Sequence, residues 1–287
     1  MKALDLARVR GRGVFRVVSA VLGRPQGWGR LALRLDDLDA PAPFAGAALD
    51  LLAWQGVIVD RLAEGGTVPV EVVGRAGHPW LVEVARFAAR LDCPVTVRTA
   101  GRLEDHVAEG LVAAGVRRVL LVGVDTDAVA ALVRARRSLQ SSLDVLVEVP
   151  PGADLEEISA RLRGVGADGV RVAAPWRGGP WGAEMTAWIE GAAARVASYD
   201  RSDRNALHEL ARMDGRGPGA PRRTGHCAVG GLRLEVGPDG GMYACPHQEQ
   251  RLPPGGDPRS GLAGHRTLIR ACDRVCLHPD LAGPAAR

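Results

Sequence analysis

The feature that most constrains the fold is a regular alternation of short β-rich runs with helical stretches, from Leu31 to about Ser198. The six β-rich runs are LALRLD (31–36), TVPVEVV (67–73), PVTVRT (94–99), RRVLLVGV (117–124), DVLVEV (144–149) and DGVRVAA (168–174). The helical stretches that follow them are 44–63, 79–91, 103–114, 126–140, 154–165 and 182–197. Because strands that alternate with helices form a parallel sheet, the sequence predicts an α/β fold. Six units favour a partial (βα)6 TIM-like barrel over the alternative of a flat sheet.

Charged residues recur on one side of these predicted strands. Side chains alternate between the two faces of a strand, and in five of the six runs the aliphatic residues share one face. The aliphatic face must pack against the helices, so the other face points into the barrel. The residues predicted to line this lumen are Arg34, Asp36, Glu71, Arg98, Glu148 and Arg171.

The predicted lumen carries three positive and three negative charges. Buried charges persist only if they are paired or solvated. Three interpretations therefore stay open: a self-neutralised network of ion pairs, a water-filled pocket for a polar ligand, and a misassignment of the strand faces.

The chain changes character after Ser198, where segment 199–226 is polar and basic and contains the linker GRGPGAPRRTG (215–225). Cys93 lies alone in an apolar context and is predicted to be a small core residue. The other four cysteines fall in the last quarter, at Cys227, Cys245, Cys272 and Cys276. Because disulfides are rare in the cytoplasm, four clustered cysteines indicate a metal site, either an iron–sulfur cluster or zinc.

Two predicted elements bring these cysteines together. LRLEV (232–236), the turn GPDGG (237–241) and MYAC (242–245) predict a hairpin with Cys227 and Cys245 towards one end. HRTLIRACDRVC (265–276) predicts a helix with Cys272 and Cys276 on one face. The predicted organisation is an N-terminal extension, a barrel, a linker and a small C-terminal module of a β-hairpin plus a helix with four cysteines. The corresponding ranges are 1–30, 31–200, 201–226 and 227–287.

The spacing Cys227-x12-Gly240-x4-Cys245 resembles the opening signature of the SPASM and twitch domains of radical SAM proteins. That resemblance implies an auxiliary [4Fe–4S] cluster held by the hairpin, with Cys272 and Cys276 as further ligands in the one-cluster twitch form. Zinc ribbons usually show Cys-x2-Cys pairs, and neither pair here has that spacing. Three upstream segments also resemble this family, HPWLVEVARFA (78–88), TAGRL (99–103) and AAGVRRVLLVGVD (113–125). The partial (βα)6 barrel of the family agrees with the six units counted above.

Two motifs of the family are missing. Its Cys-x3-Cys-x2-Cys loop after the first strand, which holds the radical-generating cluster, is replaced by LDDLDAPAPF (35–44), which has no cysteine. Its Gly-Gly-Glu-Pro motif after the second strand is replaced by VVGRAG (72–77). Carboxylates do not replace thiolates around a redox [4Fe–4S] centre. The resemblance therefore implies a degenerate member, and we expect no S-adenosylmethionine binding.

These observations predict a radical SAM-fold iron–sulfur protein that generates no radical itself. It would serve as a partner, substrate-binding or electron-relay protein in peptide or cofactor maturation, beside an active radical SAM enzyme or a precursor peptide. Two alternatives stay open. One is an enzyme that uses the polar lumen, and the other is a binding protein with a structural zinc site at the four cysteines.

Charge and hydropathy bear on the binding partners and the localisation of the protein. The net charge is +4 with an isoelectric point near 9.1, but no stripe of basic and aromatic residues is present, so we expect no nucleic-acid partner. No run approaches the ~20 apolar residues of a membrane span. The N-terminal VFRVVSAVL is short, is interrupted by Arg16 and lacks a cleavage site, so we expect a cytoplasmic protein.

Overall fold

The computed structural model describes residues 30–36, 38, 48–65, 67–149, 153–172 and 233–243. Eight strands lie in the described residues. They are β1 (Arg30–Arg34), β2 (Val70–Arg75), β3 (Val95–Ala100), β4 (Arg118–Val122), β5 (Asp144–Val149), β6 (Gly169–Val172), β7 (Arg233–Val236) and β8 (Met242–Tyr243). Five helices lie there too. They are α1 (Leu51–Gly65), α2 (Leu81–Arg90), α3 (Asp105–Ala113), α4 (Thr126–Ser138) and α5 (Leu155–Val165).

All eight strands belong to one sheet in the order β6-β5-β4-β3-β2-β1-β7-β8. The first seven strands are parallel, and β8 runs antiparallel to β7. From β1 to β6, each strand lies next to the strand that precedes it in the chain. Each helix likewise contacts the next helix along the chain. With the usual right-handed crossovers, this order lays the helices in a single layer on one face. The α/β prediction is confirmed, and the sheet is open over the described residues, as in a partial barrel.

Three of the described helices, α1, α4 and α5, begin just after an aspartate that supplies a capping group. Asp50 Oδ1 accepts from Ala53 N at 2.8 Å, Asp125 Oδ1 accepts from Asp127 N and Ala128 N at 3.0 Å, and Asp154 Oδ1 accepts from Glu157 N at 3.1 Å. These carboxylates satisfy first-turn amides, which explains why α1 begins at Leu51 rather than at residue 44 as predicted. The predicted helices at 182–197 and 265–276 lie outside the described residues.

The core lies between the sheet and this helix layer. Leu31, Leu33 and Leu35 of the first strand region are fully buried, as the alternation predicted. The largest helix residues that pack with them are Trp54, Ile58, Leu62, Leu81, Leu111 and Leu132. Each such side chain contributes about 1.5–3 kcal/mol through burial, so this face supplies most of the stabilisation. Cys93 is confirmed as a buried core residue.

The strand β7 has a second partner that the sequence analysis did not assign. We predicted it only as half of a hairpin in the C-terminal module, whereas it also pairs in parallel with β1, with Leu31 opposite Leu234 and Leu33 opposite Val236. Leu234 and Val236 are fully buried in the helix-facing core. The run RLEV repeats the aliphatic–charged alternation of the other strands, so it fits the edge that β1 offers. The predicted domain limits at 200 and 226 fall outside the described residues.

Candidate functional site

A second set of side chains is buried on the sheet face opposite the helices. Its charged members are Arg34, Glu71, Arg98, Glu148 and Glu235. Ala32, Val73, Leu120 and Leu146 lie among them on the same face, and they are likewise buried yet separate from the helix-facing core. Burial of five charges on one face is costly unless partners compensate them. Their partners therefore decide what this face can do.

The first partnership joins β3 to β5. Arg98 donates from Nε at 3.1 Å and from Nη2 at 2.5 Å, both to Glu148 Oε1. The two side chains are 3% and 6% exposed, and they reach across the intervening strand β4. Both charges are therefore shielded from water, and each compensates the other.

The second cluster surrounds β1. Arg34 Nε donates to Glu235 Oε2 at 2.5 Å, and Arg30 Nη1 lies 3.8 Å from Glu71 Oε2. Ala32 lies between the two arginines and is in register with Glu71 on one side and Glu235 on the other. Its small side chain leaves room for the carboxylates on both neighbouring strands. Two arginines and two glutamates thus alternate around one alanine.

These contacts bear on the lumen residues predicted from the sequence. Arg34, Glu71, Arg98 and Glu148 are buried and ion-paired, which favours the network interpretation for these four over free groups in a pocket. Arg171, on β6, is in register with Glu148 on β5, but nothing is described of the Arg171 side chain.

Sequence reasoning missed Glu235 and Arg30 as members of this charged face. Glu235 belongs to LRLEV, whose alternation matches that of the barrel strands, so the signal was present but was assigned to the C-terminal module. Arg30 lies one residue before the predicted start of the first strand.

Asp36 lies just past the end of β1 and is only partly buried, unlike the four residues above. Its Oδ2 accepts from Arg75 N at 2.9 Å and so ties the end of β1 to the end of β2. Its Oδ1 is buried without a hydrogen-bond partner among the described residues. Ligands of parallel sheets usually bind at the carboxyl ends of the strands, which is where Asp36 lies.

His78 occupies the turn that follows β2. Its backbone N donates to Arg75 O at 2.9 Å, and its Nδ1 accepts from Trp80 N at 3.2 Å. Burial lowers the pKa of His78, and the nearby Asp36 carboxylate offsets this only in part. The ring is therefore neutral at pH 7, with its proton on Nε2, and His78 lies in the turn that leads into α2.

Thr99, in the segment TAGRL, is completely buried, and its Oγ1 has no partner among the described residues. It shares its register row with Gly74 of VVGRAG, where an added Cβ would lie 3.3 Å from Leu35 Cβ. Gly74 thus permits close packing of the ends of β1 and β2. Gly74 and Thr99 thus lie in a closely packed region near the carboxyl ends of β2 and β3.

The four predicted metal ligands Cys227, Cys245, Cys272 and Cys276 lie outside the described residues. Over the described ranges, no group of three or more His, Cys, Asp or Glu residues is arranged to hold a metal ion. Burial raises the pKa of the Cys93 thiol to about 11, which keeps it protonated and inert at pH 7.

The hairpin turn that leads towards Cys245 is present. Gly237 N donates to Gly241 O at 2.8 Å, and Gly240 N donates to Gly237 O at 2.9 Å. Gly240 has φ +74°, a conformation that L side chains rarely adopt, which explains the glycine in the spacing Cys227-x12-Gly240-x4-Cys245. An added Cβ there would also lie 3.3 Å from Leu49 Cδ1.

The fold is similar to that of Streptococcus suis SuiB bound to S-adenosylmethionine, with a TM-score of 0.53 and 12% identity. That likeness covers 81% of this chain but 62% of SuiB, so this chain spans less than two thirds of that protein. Coproporphyrinogen III oxidase (HemN) from Escherichia coli, a radical SAM enzyme, gives a TM-score of 0.35 at 15% identity over 54% of this chain and 46% of its own. The likeness to SuiB shows a shared fold, and the lower score adds nothing to it.

The sequence itself matches no protein-family model and no curated protein. None of the described helices is long and apolar enough to cross a membrane.

Proposed function

We propose that this chain is an iron–sulfur protein on a radical SAM-type barrel that does not itself generate a radical. It would hold one [4Fe–4S] cluster at Cys227, Cys245, Cys272 and Cys276 and act as a partner, substrate-binding or electron-relay protein in peptide or cofactor maturation. Such a cluster supplies one-electron chemistry or an anchoring point for a substrate. An active radical enzyme or a precursor peptide is the partner that this role requires.

The observation that carries the proposal is the end of β1. The fold is like that of a protein that binds S-adenosylmethionine, yet the segment after this strand, residues 35–44, contains no cysteine. The first polar side chain there, Asp36, uses one oxygen to hold Arg75 N. A carboxylate engaged in this way, with no thiolate nearby in sequence, is a poor ligand for a redox cluster.

The ion pairs inside the sheet count against the alternative of an enzyme that works through the lumen. A general base must be able to accept a proton from a substrate. Glu71, Glu148 and Glu235 each face an arginine instead, and Glu148 and Glu235 are almost completely shielded from water. Such carboxylates favour a role in holding the strands together.

The hairpin fits the predicted ligand set. Because β8 runs antiparallel to β7, the chain enters β7 and leaves β8 at the same end of the hairpin, opposite its turn. Cys245 follows Tyr243 by two residues, and chain geometry keeps their Cα atoms within about 7 Å. Two thiolates that flank one hairpin can therefore serve one centre, as the resemblance implies.

The test is anaerobic purification and reconstitution with iron and sulfide, followed by metal and sulfide analysis. We expect about four irons and four sulfides per chain, with loss of both in the Cys227→Ala, Cys245→Ala double variant. Cys93→Ala is the matched control because Cys93 is buried in the apolar core and should leave iron content unchanged.

Two results would contradict the proposal. Stoichiometric zinc in place of iron would favour the structural zinc site. Release of 5′-deoxyadenosine from S-adenosylmethionine on reduction would show that the chain generates a radical after all.

A further inference from the structure

We propose that the amino ends of β4, β5 and β6 form a docking surface for an acidic peptide segment of a partner protein. This surface, the basic edge, consists of the three connections that lead into these strands, residues 113–118, 136–144 and 163–169. It lies at the opposite end of the strands from Asp36. The inference goes beyond the proposed function, because it assigns a surface and a partner chemistry that hold whether or not a cluster is bound.

Charge on the basic edge is unbalanced. Its three connections contain five arginines, two aspartates and no other charged residue. Asp144 pairs with Arg118 at 3.0 Å, and Asp168 pairs with Arg136. Three further arginines are exposed and have no ion-pair partner among the described residues. They are Arg117, Arg137 and Arg163.

The carboxyl ends of the neighbouring strands carry the opposite charge. Segments 101–106, 123–128 and 153–157, which follow β3, β4 and β5, contain one arginine, Arg102. Their described acidic residues are Glu104, Asp105, Asp125, Asp127, Asp154 and Glu157. Charge is therefore separated along the strand direction, so that an acidic segment is attracted to the basic edge and repelled from the other end.

Hydrogen bonds hold the three connections of the basic edge together. Arg136 donates from Nη1 to Leu143 O at 3.0 Å and from Nη2 to Gly166 O at 3.2 Å, which joins the second connection to the third. Asp144 N donates to Arg117 O at 2.9 Å, which joins the first to the second. The exposed arginines thus extend from a bonded backbone, and binding costs mainly the entropy of their side chains.

Helix dipoles explain only part of this surface. Arg137 and Arg163 lie in the last turns of α4 and α5, where the dipole favours cations. Arg117 instead lies beyond the end of α3, after Gly115, which has φ +78°. Leu139 is apolar, yet its side chain is 49% exposed. The dipole requires neither Arg117 nor Leu139 at this edge.

The chemistry of the basic edge favours a peptide over a nucleic acid. A guanidinium matches carboxylates and phosphates alike, so the arginines alone do not discriminate between the two. Leu139, two residues beyond Arg137, offers an apolar contact to a side chain of a peptide. The three connections contain no aromatic residue on which a base could stack. The ligand that fits is an acidic segment with interspersed apolar residues.

Fluorescence anisotropy of a labelled peptide of repeating Glu-Glu-Leu units tests the proposal on the full chain. Wild type should bind this peptide, and added salt should weaken the binding several-fold, because exposed charges are screened. A peptide of repeating Gln-Gln-Leu units should bind about tenfold more weakly. Failure of the Glu-Glu-Leu peptide to bind at millimolar concentration overturns the proposal.

Variants place the binding on the basic edge. Arg137→Gln combined with Arg163→Gln should weaken it by about tenfold, since two exposed charge pairs are lost. Arg75→Gln combined with Arg102→Gln is the matched control, because it removes the same charge from exposed residues at the carboxyl ends of the strands. Leu139→Ser should weaken binding by about threefold without changing its salt dependence.

Four further results would overturn the proposal. Equal losses in the two double variants would mean that net charge alone attracts the peptide, and unchanged binding in Leu139→Ser would remove the apolar contact. Tighter binding of a labelled single-stranded oligonucleotide, lost in the Arg137→Gln, Arg163→Gln variant, would make nucleic acid the partner. Self-association of wild type that this variant abolishes would make a second copy the occupant. Iron content enters none of these results, so they leave the proposed function to its own test.

Discussion

The two faces of the central strands are equally buried but chemically opposite. Leu33 and Val97, which face the helices, are completely buried. Their neighbours Arg34 and Arg98, on the other face, are 4% and 3% exposed. Burial alone therefore does not require apolar side chains, provided that each buried charge meets a partner of opposite sign.

The two faces differ in what burial contributes to stability. An apolar side chain gains free energy from leaving water, about 25 cal/mol per Å² of buried apolar surface. A buried ion pair recovers in attraction roughly what it loses in hydration, so it adds little net stability while one missing partner costs much. The helix-facing side therefore stabilises the fold, and the charged side links β3 to β5 across β4 and β1 to its neighbour β7.

The largest expected effect comes from removing one member of a buried pair. Arg98→Met should lower the free energy of unfolding by about 3–5 kcal/mol, because Glu148 would remain buried without its arginine. Denaturant unfolding measures the change. Arg118→Met is the control, since its 3.0 Å ion pair with Asp144 is about half exposed, and we expect a loss of at most about 1 kcal/mol.

A second variant sharpens this test. Arg98→Met combined with Glu148→Leu should recover a large part of the stability lost in Arg98→Met, because no lone carboxylate is left. A loss below about 1 kcal/mol in Arg98→Met alone would mean that water reaches the pair, as in the pocket interpretation.

The next largest effect lies on the helix-facing side. Leu33→Ala should cost about 2–5 kcal/mol, since it leaves a cavity in the close-packed core between β1 and the helices. The matched control is Leu52→Ala on α1, where the side chain is 76% exposed and the change should stay within about 0.5 kcal/mol. Equal losses in the two variants, read from thermal or urea unfolding, would disprove the assigned faces.

The smallest effect concerns the titratable group on the apolar side. Because burial raises the pKa of Cys93 from 9.0 to about 11, the folded protein keeps the thiol protonated after the unfolded chain has ionised. The contribution of the protonated Cys93 thiol to the free energy of unfolding is thus complete below pH 9 and is lost as the pH rises towards 11. At pH 10, wild type should have lost about 1 kcal/mol more than Cys93→Ala. Parallel pH profiles of the two proteins would show that Cys93 is hydrated.

Much of the fold follows from local pattern. The period of two in the β-rich runs predicted both faces of the sheet, and the predicted helical stretches 126–140 and 154–165 begin close to the observed starts of α4 and α5. The charged residues Arg34, Glu71, Arg98 and Glu148 were all recognised by the same alternation. Asp36 fits the same alternation, but β1 ends at Arg34. Asp36 therefore lies beyond the strand, where its carboxylate accepts a hydrogen bond from Arg75 N at the end of β2.

The pairing of those charges could not be predicted in the same way. Arg98 meets Glu148 across 50 positions of sequence, and Arg34 meets Glu235 across 201. Which arginine meets which glutamate depends on the order of strands in the sheet, and periodicity carries no information about that order. Glu235 was missed for this reason, since its strand was assigned to a separate module.

The sequence by itself determined that strands and helices alternate, that one face of each strand is aliphatic and the other charged, and where several helices are capped. These properties depend on side-chain period and on capping groups within a few residues. Only the tertiary structure decided that β7 joins β1 and that the buried charges meet in pairs. Such contacts form when distant segments become neighbours, and their free energy depends on burial and distance, which no local stretch of sequence specifies.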